Sequence, residues 1–152
     1  ARLGAGDTFF FTNCSPQHAT FNQQLWLELE NYLLDNAETR GFAACVFTGP
    51  VFDSGDPVYR GVQLPRAFWK VATMVHDQRD ALTATGYIVS QGDLIQDIEF
   101  VFGEFRTYQV PLRRLEELTG LDFGALRDAD PLAQEESTSA PHQLLTPDDV
   151  VL

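Results

Sequence analysis

The sequence predicts an α+β fold in which helices flank a central, mostly antiparallel sheet. Three observations carry this reading. Two strand-like runs, Ala67–His76 (AFWKVATMVH) and Leu82–Ser90 (LTATGYIVS), are joined by the polar turn Asp77–Ala81, which is too short for a parallel crossover. Phe21, Leu25, Leu29 and Leu33 recur at a spacing of four, the period of a helix that buries one face. A second, shorter helical pattern opens at Pro111 and stops at Gly120.

Taken in order, Phe9–Thr12 is short, aromatic and β-favouring, and Asn13–Ala19 is a loop built on Asn, Ser and Pro. Thr20 is a good N-cap with Gln23 as its capping-box partner, so the long helix begins there and runs to about residue 36. Trp26 and Tyr32 widen its apolar face, and Gly41 is the expected breaker. Phe42–Thr48 (FAACVFT) reads as a strand buried on both faces, punctuated by Gly49 and Pro50. Asp53–Arg60 is a surface loop. Residues 93–105 read as loop with a short helix, Thr107–Val110 as a strand, Leu112–Thr119 as a helix, and Phe123–Arg127 as one more turn. From about Ala133 the chain becomes polar, with two prolines and acidic residues but no Lys or Arg, so residues 1–132 are expected to be the domain and 133–152 a disordered or docked acidic tail.

Length and composition fit one domain: 152 residues, 44% apolar, twelve phenylalanines. No run of 18 apolar residues appears, so no membrane span is expected; the protein is read as soluble, cytoplasmic or exported. The chain starts at Ala1 within ordinary polypeptide, which reads as a processed or clipped piece of something longer. A net charge of -12 argues against a surface that holds nucleic acid by phosphate neutralisation alone, yet leaves room for a focused cleft or a bound cation. Cys14 and Cys45 lie in apolar, strand-like surroundings and read as buried thiols, with a disulfide as the alternative. There is no CxxC, no GxxxxGK loop and no nucleophile elbow, which removes a structural zinc site, a P-loop and the serine-hydrolase pattern.

The residues suited to chemistry gather between Asn13 and Glu30. A helix N-terminus offers unpaired N–H groups to phosphate, and Asn22 in that first turn offers a neutral oxygen to a hard cation such as Mg²⁺. Glu30 follows two turns later, about 12 Å along an ideal axis and about 80° around it. It therefore reaches the ion's hydration shell rather than the ion. Asn13, at the end of a strand, presents an amide to a phosphate or caps its own turn. His18 is a general base by type and an ordinary loop histidine by context. His76 and His142 read as bland.

The order of these residues strengthens the reading. N-x-S-P-Q (Asn13–Gln17), F-N-Q (Phe21–Gln23) and W-x-x-L-E (Trp26–Glu30) resemble the metal-binding half of the non-specific DNA/RNA endonucleases, the ββα-metal nucleases related to endonuclease G. FTGPVF (Phe47–Phe52), VQLPRAFWKV (Val62–Val71) and YQVPLRRLEELTGLDF (Tyr108–Phe123) continue the resemblance in the same order. It implies a ββα-metal fold with its metal-bearing helix near residues 20–36. It places Asn22 as the single protein ligand to Mg²⁺ or Mn²⁺, Glu30 on metal-bound water, and Asn13 as an active-site asparagine. It further implies hydrolysis of DNA and RNA to 5′-phosphate products. Arg60, Arg66, Lys70 and Arg106 are the basic residues expected near the substrate, and each reads equally well as a solvated strand-end charge.

One departure is as informative. The family's general base lies in a D-R-G-H motif, which this sequence does not contain. Three readings stand: a nuclease portion completed by a D-R-G-H-bearing portion of the same precursor or of another chain, with homo-oligomerisation open; an inactive nuclease-like scaffold; or an acidic protein-interaction module.

Overall fold

The computed structural model describes residues 14–17, 27, 30–31, 33–35, 42–76, 81–90, 106–134 and 142–144. Helical residues within 27–35 form α1. The strands are β1 (Phe42–Val51), β2 (Val58–Tyr59), β3 (Val62–Gln63), β4 (Ala67–His76), β5 (Ala81–Ser90), β6 (Arg106–Val110) and β7 (His142–Leu144). The second helix, α2, is Leu112–Thr119, and a 3-10 helix spans Gly124–Ala129. Five strands form one antiparallel sheet in the order β1-β4-β5-β6-β7, and β2-β3 is a separate hairpin. The α+β architecture is the one the sequence predicts. Residues 9–12, 18–26 and 93–105, on which several expectations fall, lie outside the described residues.

Period-two alternation assigns the sheet two apolar faces. Ala67, Trp69 and Val71 of β4 join Ala84 and Ile88 of β5, Tyr108 and Val110 of β6, and Leu112 and Leu115 of α2 in one core. Ala72, Met74 and Tyr87 on the opposite face pack with Leu33 of α1 and with Leu144. The sheet is thus the middle of three layers. Leu112 and Leu115 are fully enclosed, each contributing about 2 kcal/mol of apolar burial. Gly86 makes the α2 layer possible: a Cβ there would sit 2.8 Å from the Val110 carbonyl and 3.0 Å from Leu115 Cδ1.

Helix α2 is fixed at both ends. Its first N–H, at Leu112, donates to Asp130 Oδ2 at 2.7 Å, and Asp130 Oδ1 accepts from the Leu132 N–H at 2.9 Å. Gly120 takes the left-handed conformation (φ 71°) and its N–H closes on the Glu116 carbonyl. Glu116 Oε1 accepts from the Phe123 N–H, and Phe123 meets Trp69 edge-on at 5.6 Å, docking the 3-10 segment on the sheet.

Three expectations fail, mostly at β1. The strand forms, but Ala43–Thr48 are exposed rather than buried on both faces. It is the outermost strand of the described sheet, and among the described residues only its β4 edge is paired. Cys45 lies on it and is a free, exposed thiol, as is Cys14. Gly49 and Pro50 do not end β1, which runs to Val51. Pro50 is tolerated because an edge strand leaves some N–H groups unneeded. Gly49 leaves room for the Trp69 ring, which a Cβ would approach to 2.8 Å.

Candidate active site on the face that carries α1

Lys70 organises this face. It is the one Lys, Arg, Asp or Glu on β4, in register with Thr48 of β1 and Tyr87 of β5. Tyr87 is in turn opposite Gln109 of β6, and Gln109 opposite His142 of β7. A polar row therefore crosses all five strands at one level, and Lys70, Tyr87 and Gln109 in it are fully buried. Lys70 Nζ lies 2.6 Å from Glu30 Oε1 on α1, with the Lys70 side chain 0% exposed and that of Glu30 44% exposed.

Burial pulls the Lys70 ammonium below the usual lysine range, while its hydrogen bond to Glu30 and then the charge of Glu30 pull it back up. The buried cation fixes the carboxylate where helix meets sheet, and the carboxylate remains half open to water. A held, half-exposed carboxylate is suited to hydrogen bonding water on a hard cation, so the donor chemistry of Glu30 fits the implied metal. Among the described residues, no three His, Cys, Asp or Glu side chains cluster as a ligand set.

Leu33, one turn after Glu30, packs on Ala72 and Met74, so α1 advances along β4 from Lys70 towards Met74. Its N-terminal direction points to the end of β4 near Ala67. Asn13, His18 and Asn22 lie outside the described residues.

The expected basic residues have separate fates. Lys70 faces Glu30 rather than solvent. Arg66 donates to the Gly55 carbonyl at 3.0 Å and braces a loop. Arg60 occupies the turn between β2 and β3, over the Tyr59 ring at 5.3 Å. Arg106 begins β6, and its side chain is outside the described set. Sequence reasoning singled out both Glu30 and Lys70 but not their pairing. The available signal was a lone charge inside an apolar strand, which demands a partner.

Residues 2–130 match the sequence profile of the DNA/RNA non-specific endonucleases. The chain belongs to this endonuclease family. A protein named "Nuclease" from Nostoc sp. is 29% identical over 119 residues, covering 76% of this chain and 42% of its own length. An uncharacterised protein of Sinorhizobium fredii is 40% identical over 151 residues, covering 93% of this chain and 22% of its own length. The chain thus spans less than half the length of each of these relatives. Among the described residues no helix is long and apolar enough to cross a membrane.

Proposed function

We propose that this endonuclease-family chain is the metal-binding portion of a DNA/RNA non-specific endonuclease that hydrolyses phosphodiester bonds to 5′-phosphate products. The observation that carries the reading is Glu30 held by buried Lys70 at 2.6 Å, at the position the resemblance gives to the acidic residue that holds metal-bound water. A bound Mg²⁺ or Mn²⁺ supplies charge stabilisation at the phosphate oxygens and at the departing 3′-oxygen. Asn22 would hold the ion by its amide oxygen, Glu30 would orient the ion's water, and Asn13 would direct its amide to the phosphate. Lys70, enclosed and paired, acts as a positioning residue for Glu30 rather than as a phosphate contact.

In this reading the general-base histidine comes from a portion bearing D-R-G-H, in the same precursor or another chain. Among the described residues no strand pairs with the outer edge of β1, and that supports such completion. An added strand there lies two strand spacings from β4, about 10 Å, and its inward residues share the Lys70 face. The length of the relatives beyond the matched region leaves sequence to supply such a strand.

The test is digestion of supercoiled plasmid and of RNA by the assembly of both portions, with Mg²⁺ and with chelator. Cleavage that stops with chelator, stops in Asn22→Ala, and leaves ends that ligate without a kinase is the expected result. Chelator-resistant cleavage, or Asn22→Ala cutting at the parent rate, overturns the reading.

A further inference from the structure

The β2-β3 hairpin has no role in the site described above, yet it is built to a demanding geometry. Tyr59 pairs with Val62, so the turn has only two residues, Arg60 and Gly61, with φ of 51° and 82°. Such a turn wants Asn-Gly or Gly-Gly, since both residues must be left-handed. Arg60 is the single non-glycine residue with positive φ among the described residues. Residues held in that region are strained and cluster at functional sites. Here the side chain lies across an exposed aromatic ring: Arg60 Cζ is 5.3 Å from the Tyr59 centroid, and Tyr59 is 59% exposed.

The stem beneath the tip is cross-linked by hydrogen bonds. Asp56 is buried and accepts from the Asp53 N–H, from Gln63 Nε2 and from the Arg66 N–H. The Leu64 N–H closes on the Pro57 carbonyl at 2.8 Å. The hairpin leaves the sheet between Val51 and Ala67, which are register partners, and Lys70 lies three residues beyond Ala67 on β4, about 10 Å from the hairpin's base. A fixed stem thus carries an exposed aromatic-cation pair at the end of the sheet towards which the N-terminal direction of α1 points. Both stem acids, Asp53 and Asp56, are engaged in hydrogen bonds within the loop. The tip presents one cation and one ring, flanked by the exposed side chains of Val58 and Val62.

We propose that the Tyr59–Arg60 tip is a nucleobase platform that stacks one unpaired base of the substrate strand. The proposal rests on the nuclease reading and deepens it. A chain of net charge -12 cannot gain much affinity from phosphate neutralisation spread over its surface. Stacking on an aromatic ring, reinforced by one guanidinium, gives affinity that tolerates any base and needs no basic surface. That tolerance suits a non-specific enzyme, and it directs the protein to unpaired strands.

The test is fluorescence anisotropy with a labelled single-stranded DNA 12-mer, in chelator so that nothing is cut, using the full chain. Tyr59→Ala should weaken binding about ten-fold, the scale of one stacked base, while Tyr59→Phe binds like the parent. Arg60→Gly should weaken binding several-fold and yet raise the melting temperature, because glycine removes the strain. An oligomer of abasic sugar-phosphate should bind the parent as weakly as the normal 12-mer binds Tyr59→Ala. If the parent binds the 12-mer and Tyr59→Ala binds it equally well, the platform is refuted and the nuclease reading stands. If base removal leaves parent binding unchanged, the platform is likewise refuted. If the parent binds no nucleic acid in chelator, the platform is refuted; if the completed assembly with Mg²⁺ also cuts neither plasmid nor RNA, the nuclease reading falls with it.

Discussion

Glu30→Ala is the sharpest probe of how the candidate site is held. It leaves the Lys70 ammonium, 0% exposed, without its carboxylate. Breaking a fully buried ion pair from one side costs about 3–5 kcal/mol, and an exposed pair about 0–1. Here the removed partner is half-exposed but the survivor is enclosed, which sets the cost near 2–3 kcal/mol. For a chain of this size that lowers the melting temperature by about 5–10 °C. Lys70→Met should cost far less, about 1 kcal/mol or under, because the Glu30 left behind can turn to water. The double variant should resemble Lys70→Met alone. The pH dependence has a definite sign. Lys70 has a lowered pKa when folded, so just below the ordinary lysine value the unfolded chain binds more protons, and stability rises with pH through that alkaline window. Lys70→Met should lack this rise. Glu30→Gln, which removes the charge that pulls the pKa back up, should begin it at lower pH. Urea unfolding followed by tryptophan fluorescence across the alkaline range measures all of this. A Lys70→Met variant less stable than Glu30→Ala, with no difference in pH profile, would refute the argument.

Three further outcomes are expected. Asp130→Ala removes the acceptor for the Leu112 and Leu132 N–H groups and should cost about 1–3 kcal/mol in urea unfolding, with Asp130→Asn recovering part of it. Gly86→Ala places a Cβ against the Val110 carbonyl and Leu115, and should lift α2 at a cost of about 1–3 kcal/mol, read from the melting temperature. Val46→Lys on the outer strand should change the stability of the chain by less than about 0.5 kcal/mol, yet weaken its association with a D-R-G-H-bearing portion on size-exclusion chromatography.

What was legible in the sequence follows from how far each signal reaches along the chain. The β4-β5 hairpin could be read because its two runs and its turn are contiguous, and His76 pairs with Ala81 as a short connection requires. Helix α2 could be read because Pro111 and Gly120 mark its ends locally. The cap on its first N–H could not, because Asp130 is 18 residues away and nothing near Leu112 announces it. The Glu30–Lys70 pair spans 40 residues and depends on α1 crossing β4 at one level. Each residue was picked out by its type, but their contact is a product of topology.

Strand β1 shows a different limit. FAACVFTGPV carries no charge, and a period-two pattern cannot distinguish a central strand from an outer one whose second partner lies elsewhere. Its apolar character still argues for a partner. Outer strands that end a sheet are usually blunted by Lys, Pro or a bulge; β1 carries no charge, and its one proline, Pro50, stands next to its last residue and leaves Phe42–Gly49 unblunted. The misreading of β1 as buried and the proposal that a further strand completes the nuclease site therefore share one cause: the composition of the strand is suited to two neighbours, and the described sheet supplies one.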